Sequence, residues 1–320
     1  MSIIYFVLLC QRRLMRCFNR GGRVALLFIL SFTPSVFAEC QTGRVKVQVL
    51  GSGGPEMSDS RASSSYLVWL DGKSVMLVDT GPGSSLNFEQ SGARLADVQV
   101  VAFTHFHVDH SADFPALIKA SYFTDRSTDL RVYGPKGNQL MPSATEFVHG
   151  LLGKKGVYRY LSGYVTASES NAYKIRTENV SILNRAVQDI QHADSLSLAA
   201  IAVHHGPVPA LAWRVQAAGC VIVFSGDMSN QYQTLEKLAK DADILIAHNA
   251  IPESAQGVAR KLHMPPSEIG KIAEQAKVKQ LVLSHRMTRT LGREQATLKI
   301  IRQSYKGPVK FADDMDVILP

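Results

Sequence analysis

The chain has 320 residues, of which 46% are hydrophobic and 19% charged, and its mean hydropathy is close to zero. This length and composition allow a substantial buried core, which excludes an intrinsically disordered protein and favours one large domain. The net charge is +8, but the first 38 residues hold five arginines and no acidic residue, and their removal lowers the charge to +3. The charge balance therefore does not by itself indicate a nucleic-acid partner.

Residues 1–38 have the pattern of a signal peptide. The arginines are followed by the apolar run 24–32 and by Ser35-Val36-Phe37-Ala38, which fits a signal-peptidase site. The apolar run is shorter than the roughly 20 residues that span a bilayer. We therefore expect cleavage after Ala38 and a periplasmic or secreted protein without a stable membrane anchor. A permanent transmembrane helix and a translation start at Met15 are the alternatives.

Residues 39–320 are predicted to form one catalytic domain with strands and interspersed helices. Apolar runs and apolar-polar alternation predict strands at 44–50, 65–70, 74–79, 98–103, 197–203, 210–215, 221–224, 243–247 and 280–284. Helical periodicity predicts helices at 113–123, 231–240, 266–276 and 293–303. This order indicates mixed sheets packed face to face with helices outside, an α/β architecture.

Segment 145–174 has weak periodicity and a centre rich in Gly, Tyr and Lys. Such a segment in a compact domain is often functional. We interpret it as a lid or substrate-contacting arm, with a plain surface excursion as the alternative. Cys40 and Cys220 remain after signal cleavage and could pair in an oxidising compartment, but the sequence leaves this open.

The most informative motif is residues 104–110, which directly follow the predicted strand 98–103. Residues two apart in an extended segment project to the same side, so His105 and His107 can bind one metal ion together. Asp109 and His110 follow where the chain turns toward a helix and can face a second ion. A chance cluster of imidazoles would repel when protonated or lose hydrogen bonds when buried. The motif therefore indicates a metal site.

Further histidines and aspartates also follow predicted strands, and together they resemble a known family. The supporting segments are Gly51-Ser52-Gly53-Gly54, Leu77-Val78-Asp79-Thr80-Gly81, His204-His205-Gly206-Pro207, Phe224-Ser225-Gly226-Asp227 and Leu281-Val282-Leu283-Ser284-His285. With residues 104–110 they resemble the metallo-β-lactamase superfamily over most of the mature chain. The resemblance implies a four-layer αββα sandwich of two mixed sheets flanked by helices. It also implies that His105, His107 and His205 hold one metal, that Asp109, His110 and His285 hold the other, and that Asp227 bridges them.

Several histidines have more than one interpretation. His205 is preferred to His204 because Gly-Pro follows it, as in related sequences, whereas His204 could pack in the core. His248 also ends a predicted strand and is either a group that orients a metal ligand or a structural histidine. His149 and His192 lie in no such context and are interpreted as surface or loop residues.

The donor set predicts the chemistry. Nitrogen and oxygen ligands suit two divalent ions, with Zn²⁺ expected and Mn²⁺ or Fe as alternatives. A pair of such ions activates a bridging water, so we predict hydrolysis, with Asp109 as a ligand that also orients the water. His263 precedes a predicted helix and resembles the histidine that supplies a proton to the leaving group in ribonuclease Z-like enzymes; the alternative is a histidine that merely precedes the helix. No Gly-x-Ser-x-Gly motif suggests a serine nucleophile.

Within the superfamily, the details resemble the ribonuclease Z, phosphodiesterase and arylsulfatase-like branch. The segments that carry this resemblance are Ser52-Gly53-Gly54-Pro55, Arg61-Ala62-Ser63-Ser64-Ser65, Tyr133-Gly134-Pro135-Lys136-Gly137 and Ser225-Gly226-Asp227. Met228, where related enzymes often have Thr, and the Met-Pro-Pro after His263 depart from the pattern. The leading hypothesis is an exported phosphodiesterase or arylsulfatase-like esterase that acts on a small anionic ester, and the sequence leaves room for a homodimer.

Three alternatives remain. The first is a ribonuclease Z-like nuclease, for which Lys154, Lys155, Arg159 and Tyr160 would contact phosphates; predicted export argues against this substrate, which is cytosolic. The second is a β-lactamase or thioesterase of the same fold. The third is a binding module without activity, which would require missing ligands, and no ligand of the motif is missing.

Overall fold

The computed structural model describes residues 39–167, 171–191 and 196–320. The predicted signal peptide, residues 1–38, lies outside the described residues and stays a prediction. Among the helices of the described part, none is long and apolar enough to cross a membrane.

Two mixed sheets of seven strands each form the centre of the domain. The strands are β1 (Val45–Gly51), β2 (Ser65–Leu70), β3 (Lys73–Val78), β4 (Val100–Ala102), β5 (Leu130–Pro135), β6 (Ile175–Val180), β7 (Gln188–Gln191), β8 (Ser197–His205), β9 (Val208–Ala217), β10 (Cys220–Phe224), β11 (Ile244–His248), β12 (Gln280–Ser284), β13 (Val309–Phe311) and β14 (Val317–Ile318). The first sheet has the order β14-β1-β2-β3-β4-β5-β6 and the second the order β13-β12-β11-β10-β9-β8-β7. In each sheet one half is antiparallel and the other parallel.

The described helices are short and flank the sheets. They are α1 (Ser84–Gln90), α2 (Val108–Ser111), α3 (Phe114–Ser121), α4 (Ala144–Leu152), α5 (Leu235–Leu238), α6 (Val258–Leu262), α7 (Pro266–Gln275) and α8 (Glu294–Ile301), with a 3-10 helix at Arg159–Tyr164. The predicted four-layer αββα architecture is confirmed.

Three apolar clusters account for the four layers. One cluster lies between the two sheets and contains Tyr66 and Trp213. Another lies between the second sheet and the helices that cover it, and the remaining one lies between the first sheet and its helices. All six residues of β2 are buried, as expected for a strand covered on both faces. Trp213 Nε1 donates a 2.9 Å hydrogen bond to the Phe103 carbonyl oxygen and so joins the two sheets.

The segment predicted as a lid or arm contains regular structure. It begins within α4, where Ser143 and Glu146 form a capping box and Val148 and Leu152 are buried. Leu161 and Tyr164 of the 3-10 helix are also buried. This part of the segment therefore packs on the core, and contact with a substrate stays a prediction.

Cys40 and Cys220 form a disulfide. It ties the beginning of the described chain to the first residue of β10, across 180 residues of sequence. The pairing that the sequence left open is therefore present in the structure.

The parallel halves of the sheets position the site. Histidine or aspartate residues of the site lie at the ends of four parallel strands. His105, Asp227 and His285 follow β4, β10 and β12, and β11 ends at His248. The carboxyl ends of parallel strands lie at one edge of a sheet, so their loops converge there.

Candidate metal centre

The first cluster consists of three imidazoles. His105 Nε2 lies 2.9 Å and His205 Nε2 3.4 Å from His107 Nδ1. The ligand atoms of all three lie within 4.8 Å of one another. Such crowding of ring nitrogens is the arrangement that a cation between them would stabilise.

Hydrogen bonds to the outer ring nitrogens direct lone pairs toward the centre of this cluster. His105 Nδ1 lies 3.1 Å from Thr104 Oγ1, whose hydroxyl donates to Asp79 and so leaves its oxygen free to accept. His205 Nδ1 donates to the Leu262 carbonyl oxygen at 2.9 Å. A histidine whose Nδ1 carries the proton has its Nε2 lone pair free for a metal.

The second cluster surrounds Asp109, which is in the first turn of α2, and His285, which follows β12. His285 Nε2 lies 3.2 Å and His110 Nε2 3.6 Å from Asp109 Oδ2. His110 Nε2 is buried and has no hydrogen-bond partner. A buried ring nitrogen without a hydrogen-bond partner is costly, which again fits a cation at this position.

Asp227 lies between the two clusters. Its Oδ2 is 3.7 Å from His110 Nε2 and 3.8 Å from His205 Nε2, so one carboxylate oxygen faces a histidine of each cluster. Its Oδ1 lies 3.4 Å from His285 Nε2. A buried carboxylate with these neighbours has the surroundings of a metal ligand and not those of an exposed turn residue.

The structure therefore brings together all seven predicted ligands: His105, His107, Asp109, His110, His205, Asp227 and His285. It does not bring in His204, whose Nδ1 lies 2.7 Å from Ser229 Oγ. His149 is exposed, and His192 lies outside the described residues.

Asp79 was not predicted as a site residue, although it belongs to a motif that carried the family resemblance. It is fully buried and accepts hydrogen bonds from Thr104 N, Thr104 Oγ1 and His110 Nδ1, each at 2.7 Å. It thereby fixes the His110 proton on Nδ1 and leaves Nε2 facing the cluster. The sequence did contain a signal for this role, because Asp79 is a carboxylate directly after the apolar strand β3.

The electrostatics differ between the two clusters. Burial, with the neighbouring histidines, lowers the pKa of His105, and burial is also the main cause of the lowered pKa of His107 and His205. Burial opposes protonation of His110 too, but Asp109 and Asp79 raise its pKa above the ordinary value. The first three imidazoles are thus neutral and ready to bind a cation, whereas His110 must exchange a proton for one.

Backbone strain is present at the same place. Asp79 and His285 have positive φ angles of 58° and 51°. Such angles are uncommon outside glycine and cluster at functional sites. Gly226, which precedes Asp227, also has a positive φ, and a Cβ there would lie 2.8 Å from Thr104 Cβ. The loops of the two sheets therefore approach each other too closely for a side chain at this position.

His263, at the end of α6, lies beside the two clusters. Its Nδ1 is buried without a hydrogen-bond partner and lies 3.8 Å from Asp227 Oδ2. Burial, opposed by Asp227 but aided by His285, lowers its pKa to about 4. Burial therefore favours the neutral ring beside Asp227.

Comparisons with known proteins identify the family and the fold. Residues 59–269 match the sequence profile of the metallo-beta-lactamase superfamily. Ribonuclease Z of Methanosarcina acetivorans is 24% identical over 304 residues, which cover 86% of this chain and 98% of that protein. Human tRNase Z, short form, superposes with a TM-score of 0.65 and 19% identity, covering 85% and 98% of the two chains. A diphosphatase of the PhnP family superposes with a TM-score of 0.61 and 19% identity, covering 87% and 97%.

Proposed function

The chain belongs to the metallo-β-lactamase superfamily and is a metal-dependent hydrolase, and from this premise we propose that it is an exported phosphodiesterase with two metal ions. The observation that carries the proposal is the position of Asp227 Oδ2, which faces a histidine of each cluster at 3.7 and 3.8 Å. One carboxylate oxygen so placed can bridge two cations. The names of the relatives, ribonuclease, tRNase and diphosphatase, denote cleavage of bonds to phosphorus and support a phosphate ester over other esters.

The donor set fits two divalent ions. His105, His107 and His205 would hold one ion, Asp109, His110 and His285 the other, and Asp227 both. Nitrogen-rich sites of this kind suit Zn²⁺, and Mn²⁺ and Fe are also compatible with the carboxylates. When bound, the ions supply an activated water and positive charge for the phosphoryl oxygens.

Two side chains of the protein would complete the reaction. Asp109 is 7% exposed, and its carboxylate lies against His110 and His285, where it can orient the attacking water by accepting its proton. His263, whose Nδ1 lies 3.8 Å from Asp227 Oδ2, can hold a proton near the oxygen of the leaving group. His263→Ala should therefore lower turnover and leave metal content unchanged; loss of metal would show that His263 has another role.

A substrate panel tests the reaction. We expect bis-p-nitrophenyl phosphate to be hydrolysed faster than p-nitrophenyl sulfate, a cephalosporin or a thioester, and chelator to abolish the activity. Preferential turnover of the sulfate would favour the arylsulfatase-like alternative, and preferential turnover of the cephalosporin or thioester would contradict the proposal.

Two adjacent histidines provide a matched control for the ligand assignment. His205→Ala should lose bound metal and activity, whereas His204→Ala, which removes side-chain contacts with Ser229 and Tyr232, should retain both. The reverse result would show that the wrong histidine has been assigned.

Export is supported by the arginine-rich and apolar segments before Ala38 and by the Cys40–Cys220 disulfide, because disulfides persist in oxidising compartments. When the full chain is expressed, the protein should be recovered from the periplasm or medium with Glu39 as its first residue. Recovery of uncleaved protein from the cytoplasm would contradict this part of the proposal.

A ribonuclease Z-like nuclease is the second candidate. It is favoured by relatives of that name that match over nearly their whole length. Lys155, Arg159 and Tyr160 of segment 145–174 are exposed and could contact an RNA backbone. RNA cleavage faster than that of bis-p-nitrophenyl phosphate, with binding that weakens steeply as salt increases, would establish this function in place of the first.

A further inference from the structure

His248 makes a contact through each of its ring nitrogens, and neither contact is with another histidine. Nδ1 lies 2.8 Å from Asp227 Oδ1, and Nε2 lies 3.0 Å from the Tyr66 hydroxyl. All three side chains are buried. The backbone N–H of His248 donates to Ser225 Oγ, and its ring stacks on His285, so the imidazole has a fixed place.

The direction of the hydrogen bonds follows from the chemistry of the groups. A carboxylate can only accept, so Nδ1 of His248 must donate to Asp227. Nε2 of a neutral imidazole then accepts, and the Tyr66 hydroxyl donates to it.

The hydrogen bond from His248 orients the Asp227 carboxylate. It holds Oδ1, and Oδ2 then faces His110 and His205. Although the His248 ring is close enough to the second cluster to be a ligand, both of its nitrogens are engaged with other groups.

We propose that Tyr66 and His248 are positioning residues that orient the Asp227 carboxylate to bridge two metal ions, and that His248 is not itself a ligand. The proposal rests on the metal centre of the proposed function. It assigns a role to a tyrosine that belongs to the opposite sheet and contacts none of the seven candidate ligands through its hydroxyl.

Metal affinity of the metal-free protein tests this role without reference to activity. Each variant is titrated with Zn²⁺ in competition with a chromophoric chelator. His248→Ala should weaken binding by about 10- to 100-fold, as is typical when the partner of a metal ligand is removed. His248→Asn should stay within a few-fold of the wild type, because an asparagine amide nitrogen takes a position similar to Nδ1 and can donate to Asp227. Tyr66→Phe should weaken binding by a smaller factor than His248→Ala.

Tyr173→Phe is the matched control. Tyr173 is also buried, and its hydroxyl lies 2.6 Å from Ser121 Oγ. It belongs to the cluster between the first sheet and its helices, whereas Tyr66 lies between the two sheets. It should lose stability without losing metal affinity.

Three outcomes would overturn the proposal. Wild-type affinity in folded Tyr66→Phe and His248→Ala would show that the two residues are only structural. Loss of one metal equivalent in both His248→Asn and His248→Ala would show that His248 is a ligand. If His248→Ala does not fold, unchanged affinity in Tyr66→Phe still decides against the proposal. A wild-type protein that binds no metal would instead contradict the proposed function itself.

Discussion

Replacement of Asp79 by Asn tests whether the histidine tautomers are fixed by the buried carboxylate. The change keeps the shape of the side chain, and Asn tolerates the positive φ of 58° at this position. An amide has only one accepting oxygen, whereas Asp79 receives Thr104 N on Oδ1 and both Thr104 Oγ1 and His110 Nδ1 on Oδ2. At least one of these donors therefore faces the amide NH₂ group after the change.

The size of the effect follows from which donor loses its acceptor. A buried donor without an acceptor costs about 1–3 kcal/mol of unfolding free energy. If the amide NH₂ faces His110, the histidine proton moves to Nε2, the atom that faces Asp109 and Asp227. We then expect metal affinity to fall by about 10- to 100-fold, or roughly 1.4–2.8 kcal/mol at 1.4 kcal/mol per factor of ten.

The assay is a competition titration of metal-free protein, with urea unfolding in parallel. Asp314→Asn is the control, because Asp314 also accepts a backbone N–H and a hydroxyl from one residue, Ser52, and a third hydrogen bond from Ala62 N, but none from a histidine. It should lose stability and keep wild-type metal affinity. Equal affinity in Asp79→Asn and the wild type, or an equal loss of affinity in both variants, would refute the reasoning.

Two further changes have defined outcomes. Gly54→Ala places a Cβ 2.8 Å from His285 Cε1 and should reduce the amount of bound metal, measured by equilibrium dialysis. Gly150→Ala is the control, because a Cβ there meets no neighbouring group within 4 Å, and it should not reduce bound metal. Equal metal content in the two variants would contradict the prediction for Gly54. Replacing Cys40 and Cys220 together by Ser should lower the unfolding free energy by about 2–5 kcal/mol, because the bridge closes a long loop. Coincident urea curves for this variant and the wild type would show that the bridge does not stabilise the fold.

The strands that carry the site could be predicted because their apolar runs are continuous. The bounds of β2 and β12 agree with the predicted 65–70 and 280–284, since both strands are almost entirely buried. Strands β5 and β6 were missed because polar residues, Gly and Pro interrupt their apolar pattern, and pairing with neighbouring strands determines their conformation. Strand β14 has two residues, too few for any periodicity.

In the site, too, residues with a local sequence pattern could be predicted and long-range contacts could not. The candidate ligands could be predicted because a histidine or aspartate at the end of an apolar run is visible in the sequence. The contact between Asp79 and His110 could not, because it depends on β3 lying beside β4 in the first sheet. Tyr66 and His248 are 182 residues apart and meet only when the two sheets pack. No local pattern reports such a contact.

The candidate ligands are divided between the sheets. Residues 105–110 follow a strand of the first sheet, whereas His205 ends a strand of the second sheet and Asp227 and His285 follow two others. Neither half of the molecule can chelate the full pair of ions alone, so high-affinity loading must await the docking of the two halves. If the chain is exported unfolded, as proposed, it would acquire its metal after translocation, and the ion concentrations outside the cytoplasm would then determine which metal it binds.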